Sequence, residues 1–281
     1  MSAVDTFGPL CTAAWLREHL GESHLIVIDL RWYLDGRSGL DAYRRAHIPG
    51  AVFVDLEGGI TGKVEGRGRH PLPGRAAFEL AMREAGVSRG DRVVVYDDVS
   101  GMVAGRLWWL LRYFGHDRVA VLDGGFDAWL GPLEQTAAKP SPGDFEAAEP
   151  RGEWALDFDD VRMLRERTVL LDARAPERYR GEREPVEPVA GHIPGARSAP
   201  YAGNLDAEGR FLPASSLRRR FQALGVSSGD DTVVYCGSGV SACHDLIALE
   251  LAGYGTGRLY PGSWSDWSRR PGAPVETGEG T

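Results

Sequence analysis

The chain has 281 residues, 43% of them hydrophobic, enough for one large domain or two of ordinary size. Its formal net charge of -8 argues against a general nucleic-acid binder, which carries a basic surplus. No apolar run of about 18 residues occurs, and Met1 to Leu20 shows no basic stretch leading into an apolar one, so neither a membrane span nor a secretory leader is expected.

In chain order, the run Val27-Ile28-Asp29-Leu30-Arg31 comes first, followed by Ala46-His47-Ile48-Pro49-Gly50-Ala51. A helical stretch over 76–85 leads to Gly86-Val87-Ser88-Arg89-Gly90-Asp91 and the strand-like Val93-Val94-Val95-Tyr96. A second helical stretch over 105–114 contains Trp108 and Trp109, a pair suited to a core, and Leu122-Asp123-Gly124-Gly125 with Trp129 closes the series. Gly131 to Arg151 is rich in Pro, Ala, Gly and charge without periodicity, which reads as a linker.

Beyond it the same signals return in the same order. They are Leu170-Leu171-Asp172-Ala173-Arg174, Gly191-His192-Ile193-Pro194-Gly195-Ala196 and Gly225-Val226-Ser227-Ser228-Gly229-Asp230. Then come Thr232-Val233-Val234-Tyr235 and Leu259-Tyr260-Pro261-Gly262 with Trp267, while helical stretches fall at 216–224 and 243–251. An ordered internal repeat of this kind means two copies of one domain. The division expected is an N-terminal domain over 1–131, a linker over 132–152 and a C-terminal domain over 153–281. Short buried strands alternating with helices imply an α/β fold, a mainly parallel sheet flanked by helices in each copy. Asp29 and Asp172 are placed to pair with Arg31 and Arg174 at strand ends, and His47 and His192 to satisfy backbone groups.

Three cysteines, Cys11, Cys236 and Cys243, are too few and too odd for a disulfide framework and fit a reducing, cytoplasmic setting. The spacing from Cys236 to Cys243 does not suit a zinc knuckle, so no metal is expected. Cys236 ends a strand and opens the loop Gly237-Ser238-Gly239-Val240-Ser241-Ala242 before a helix. Strand, glycine loop and helix together turn backbone N–H groups onto a concave centre and favour a negative charge there. A thiol at that point is expected to ionise readily and act as a nucleophile. The plainer alternative, a buried structural thiol, stays open on residue type alone. The matching position in the first copy is Asp97, which cannot carry sulfur, so at most one half is competent. A cysteine phosphatase is excluded, because its loop needs an arginine where Ala242 stands.

The two His-Ile-Pro-Gly segments, the loop from Cys236 to Ala242 and Tyr260-Pro261-Gly262-Ser263-Trp264-Ser265-Asp266-Trp267 together resemble the tandem rhodanese family, the thiosulfate and 3-mercaptopyruvate sulfurtransferases. The resemblance spans essentially the whole chain. It implies two rhodanese-like domains facing a cleft, with the N-terminal one catalytically silent. It also implies a Cys236 persulfide that passes sulfur from a small anionic donor to a thiol or cyanide acceptor, a thioredoxin-like reductant among the thiols. No cofactor is implied, nor a nucleic-acid or membrane partner.

Family members preferring mercaptopyruvate resemble this chain's Cys236-Gly237-Ser238-Gly239-Val240-Ser241 more than members preferring thiosulfate, which place two cations beside the cysteine. The resemblance then implies Ser238, His70 and Glu57 as a proton-handling set and Arg178 as the first substrate arginine, with Gly237, Gly239, Val240, Ser241 and Ala242 cradling the sulfur. Trp264 and Trp267 line or support the cleft, or pack in the core. The family's second substrate arginine is missing after Glu184-Pro185, where Val186 stands, and Arg183 is the nearest stand-in. Thiosulfate as donor, and a non-catalytic sulfur carrier, remain the alternatives.

Overall fold

A computed structural model describes residues 7–66 and 68–280. Arg67 and the first six residues, part of the stretch read for a leader, lie outside the described residues. Two compact units emerge. One holds 1–61, 73–150 and 208–210; the other holds 62–72, 151–207 and 211–281.

The first unit runs β1 (Leu10–Cys11), α1 (Ala13–His19), β2 (Leu25–Asp29), α2 (Gly39–Arg45), β3 (Val52–Phe53), α3 (Leu56–Ile60), α4 (Arg75–Glu84), β4 (Arg92–Tyr96), α5 (Ala104–Tyr113) and β5 (Val119–Leu122). The second runs α6 (Phe158–Arg162), β6 (Val169–Asp172), α7 (Pro176–Tyr179), β7 (Arg197–Ser198), α8 (Ala214–Ala223), β8 (Thr232–Tyr235), α9 (Ala242–Leu251), β9 (Arg258–Leu259) and α10 (Ser263–Trp267). The anticipated helices appear within a residue or two of their expected ends.

Both sheets are parallel and share one strand order, β3-β2-β4-β5-β1 in the first unit and β7-β6-β8-β9 in the second. A single parallel bridge, Ala155 to Leu259, takes the place of β1 in the second sheet. The repeat extends to register, since Asp29 lies opposite Tyr96 and Asp172 opposite Tyr235. The valine-rich central strands β4 and β8 are buried along nearly their whole length, as strands covered on both faces must be.

Matching polar knots tie these strand ends to the His-Ile-Pro-Gly turns. Arg31 holds Asp29 through Nε and Nη2 and donates to the Ala46 carbonyl at 2.7 Å. Arg174 does the same with Asp172 and the Gly191 carbonyl, also at 2.7 Å. The Tyr96 and Tyr235 hydroxyls accept from the amides of Ile48 (3.2 Å) and Ile193 (3.1 Å). His47 and His192 bond the carbonyls of Tyr43 and Tyr179, each at 2.8 Å, a structural task rather than a catalytic one. Trp108, Trp109, Trp264 and Trp267 are all buried.

Asp245, in the first turn of α9, is also buried, and its Oδ1 accepts from the Asn204 side-chain amide at 2.5 Å. Burial pushes its carboxyl up to about 7, while Arg220 and the Asn204 bond act in the opposite direction. The unfolded chain releases that proton near pH 4, as ordinary aspartates do, at about three units lower. Between about pH 4 and 7 the folded state therefore holds a proton that the unfolded state has lost, and stability falls as pH rises through that window. Asp245→Asn cannot ionise. By urea unfolding it is expected to exceed the wild type by about 1–3 kcal/mol at pH 8 and to approach it at pH 5. The same offset at both pH values would refute ionisation as the cause.

Candidate active site

β8 delivers Cys236 to the C-terminal edge of the second sheet, where open α/β folds place their ligands. Cys236 is 2% exposed, and its loop is pinned from both sides. The Cys236 amide donates to Ser263 Oγ at 3.1 Å, and its carbonyl accepts from Trp264 at 3.0 Å. The Gly237 carbonyl accepts from the Ser265 amide at 2.8 Å. The first turn of α10 thus clamps the backbone on either side of the sulfur.

The Gly239 amide donates to Cys236 Sγ at 3.1 Å. Gly239 has φ +77°, and a Cβ there would lie 2.6 Å from the Pro261 carbonyl oxygen. Only glycine meets both demands, so this residue fixes the loop that turns an amide onto the sulfur. Cys243, the next thiol, donates to the Gly239 carbonyl at 3.4 Å and braces the loop from α9. Cys11 stands apart in the first unit, its thiol pushed up to about 12 by burial and then by Asp123. All three cysteines carry thiols rather than disulfides.

Ser238 Oγ lies 2.7 Å from His70 Nδ1, both residues buried. The segment 62–72 that carries His70 groups with the second unit. Cys236, Ser238, His70 and Arg178 are therefore brought together within one unit. Glu57 belongs to the other, exposed in the first turn of α3, where it accepts from the Trp32 indole at 3.2 Å.

Arg178, in α7, gives Nε and Nη2 to Glu184 at 3.1 and 2.7 Å, and a Cβ on Gly237 would lie 3.4 Å from its Nη1. Arg183, the stand-in for a second arginine, is exposed instead. A different residue approaches the loop: Arg69, whose Nη2 would be 3.3 Å from that same Cβ. The sequence reading assigned it nothing. Its signal was the Arg-His pair in a segment with no periodicity, too slight to assign a role.

The first unit carries the matching loop with a carboxyl in place of the thiol. Asp97 is wholly buried, and its carboxylate accepts four backbone amides. Val99 and Gly101 reach Oδ1 at 2.9 and 2.8 Å; Val103 and Ala104 reach Oδ2, each at 2.7 Å. Burial raises the pKa of this carboxyl and the four amides oppose the rise. With Tyr96 matched to Tyr235, the aligned positions in the Cys236 loop are Ser238, Val240, Ala242 and Cys243, but there the Gly239 amide meets the sulfur and the Cys243 amide donates to the Val240 carbonyl at 3.1 Å.

A family model, the rhodanese-like domain, matches residues 12–131 and 159–270. A Pseudomonas aeruginosa protein described as a probable 3-mercaptopyruvate sulfurtransferase is 45% identical, the match covering 96% of this chain and 98% of that one. SseB of Mycobacterium tuberculosis, described as a candidate thiosulfate sulfurtransferase, is 40% identical over 90% of each chain. Among solved structures, SseA from Escherichia coli, a 3-mercaptopyruvate sulfotransferase, superposes with a TM-score of 0.81 at 34% identity, covering 91% of this chain and 98% of that one.

Removing the first-unit anion tests how strongly its loop depends on one. Asp97→Ala leaves four inward amides without their acceptor and is expected to lower stability by about 3 kcal/mol in urea unfolding. A loss below about 1 kcal/mol would mean that the loop does not need the carboxylate.

Proposed function

We propose that this chain, which belongs to the rhodanese family, is a sulfurtransferase that takes sulfur from 3-mercaptopyruvate onto Cys236 and passes it to a thiol or cyanide. The observation that carries this reading is the anion cradle. A nucleophilic sulfur takes an inward amide at 3.1 Å in a loop whose twin in the first half holds a carboxylate on four amides.

The chemistry follows from that setting. The Cys236 thiolate attacks the donor sulfur, the sulfur–carbon bond breaks, and its electron pair goes to C3 of the donor. The donor's thiol proton ends on that carbon, giving pyruvate, and Cys236 is left as an anionic persulfide. The buried Ser238–His70 pair is the proton-handling group on the Cys236 loop, holding the thiol proton at Ser238 Oγ for return to C3. Glu57 is proposed to support His70 in that task. Gly237, Gly239, Val240, Ser241 and Ala242 supply the backbone that surrounds the charged outer sulfur, and Arg178 holds the donor carboxylate. An acceptor thiolate or cyanide then attacks the outer sulfur, and breaking the S–S bond restores the Cys236 thiolate. A dithiol such as a thioredoxin-like reductant would release the sulfur as sulfide on closing its own disulfide.

In this reading the half over 1–131 is silent, 132–152 links the halves, and 153–281 is the catalytic half, completed by His70. The nucleophile has to stay reduced, which supports a cytoplasmic setting for the enzyme in this reading. Thiosulfate is the second reading. SseB, at 40% identity, is described for that donor, whereas Gly237 and Ser238 leave the two positions after Cys236 without cations.

Turnover with each donor decides between them, and mass spectrometry of the protein after donor treatment tests both. Wild type should gain one sulfur on Cys236 and turn over mercaptopyruvate at least tenfold more efficiently than thiosulfate, a difference of about 1.4 kcal/mol. Cys236→Ser should gain no sulfur and lose turnover with either donor. Ser238→Ala and His70→Gln should each reduce kcat by about a hundredfold, the scale of a lost proton-transfer group. Sulfur loading that survives Cys236→Ser would sink the reading.

A further inference from the structure

α7 carries Arg178 but is a single turn of four residues, too short to hold its place by its own hydrogen bonds. Its last carbonyls need donors from other segments. His192 Nδ1 bonds the Tyr179 carbonyl at 2.8 Å, and the Gly278 amide donates to the Arg180 carbonyl at 2.9 Å. The His192 ring also stacks on Tyr179, with centroids 3.8 Å apart and planes 9° from parallel.

Residues 274–280 run past this turn as a strap. The Trp267 indole in α10 fixes its start by donating to the Pro274 carbonyl at 2.8 Å. Glu276 then pairs with His192 as an antiparallel bridge, its amide 3.0 Å from the His192 carbonyl and its carbonyl 2.8 Å from the His192 amide. The Glu276 carboxylate takes the Gly195 amide at 3.2 Å. The Tyr179 hydroxyl donates to the Ala196 carbonyl at 2.6 Å and reaches the Glu279 carbonyl at 3.5 Å. The fit is close. A Cβ on Gly181 would lie 2.8 Å from Thr277 Cγ2, and one on Gly191 would overlap the Glu276 carbonyl oxygen.

The first unit has a matching strap with no cation to aim. Glu134 exchanges both backbone bonds with His47, each at 2.9 Å, and its carboxylate takes the Gly50 amide, also at 2.9 Å. His47 stacks on Tyr43 with centroids 3.9 Å apart, and the Ala138 amide donates to the Tyr43 hydroxyl at 3.0 Å. The residue before Tyr43 is Ala42, where the residue before Tyr179 is Arg178. The strap is thus common to both halves, but only in the second does the helix it holds send a guanidinium to the cysteine loop.

We propose that residues 276–279 position α7, and through it the Arg178 guanidinium, for an anionic donor, with Glu276 the positioning residue of the strap. The proposal rests on the reading above for the role of Arg178, though its first test needs no donor. Glu184 sets the direction of the guanidinium, while the strap sets the backbone from which it reaches. A loosened strap leaves the guanidinium in place chemically but spreads it over more positions. That weakens donor binding and leaves the chemistry at sulfur alone.

Amide hydrogen exchange of the full-length protein, read by mass spectrometry, tests the strap directly. Glu276→Ala is expected to speed exchange of the peptide spanning α7 by about tenfold, the scale of one lost hydrogen bond. Glu134→Ala, the matched change in the first half, should leave that peptide at its wild-type rate. With mercaptopyruvate, Glu276→Ala should raise KM by about fivefold and keep kcat within about twofold. Added to Arg178→Ala, it should raise KM by less than about twofold, because its target is gone. Thr277→Gly, which removes the Cγ2 packed at Gly181, should act in the same direction and serves if the alanine variant does not fold. Wild-type exchange of α7 in these variants, or a KM effect undiminished in the Arg178→Ala background, would overturn the proposal. So would an equal response to Glu134→Ala. Wild type that gains no sulfur from mercaptopyruvate would overturn the donor reading instead, and exchange of α7 would still judge the strap.

Discussion

A parallel strand that ends in a tight loop before a helix points several backbone N–H groups at one spot, and those groups need a negative partner there. Both halves of this chain obey that constraint, with different atoms. In the first half a carboxylate on Asp97 satisfies four amides at hydrogen-bond distance. In the second the side chain is shorter, and the sulfur of Cys236 takes the Gly239 amide alone among the described contacts.

Around that centre the fold is braced by polar contacts as much as by packing. The Asp172–Arg174 pair fixes the end of β6 and the Gly191 carbonyl, while the Tyr235 hydroxyl at the end of β8 holds Ile193. The α10 turn then locks the backbone of Cys236 and Gly237. Low freedom in the nucleophile's surroundings means that little ordering is left to be done when a donor arrives. The buried carboxylate behind Arg178 serves the same end for its guanidinium.

Much of this was legible in the sequence. The duplicated order of Val27–Arg31 and Leu170–Arg174, of the two His-Ile-Pro-Gly turns and of the two valine-rich strands is visible because strand ends and tight turns tolerate few residue types. Cys236 stood out by its place in a glycine loop and by contrast with Asp97. The pairing of Ser238 with His70 was accessible only through family resemblance, since 168 positions separate them and neither sits in a periodic element. Arg69 was missed for a related reason. Its approach to Gly237 has no spacing signature and depends on the partners Glu187 and Ser265, which look like ordinary polar residues until the chain is folded. Arg183 was the stand-in suggested by proximity in sequence, and it turns outward because the buried positions in that turn belong to Glu184 and Glu187.

The Asp97 carboxyl also shows what such a loop demands of the residue that follows its strand. A loop of this shape cannot hold just any residue there without leaving amides stranded in the interior. Aspartate is close in size to cysteine and brings two acceptor oxygens, enough for all four amides. The buried carboxyl thus completes its loop from within the chain, and no ligand is needed to satisfy those four amides.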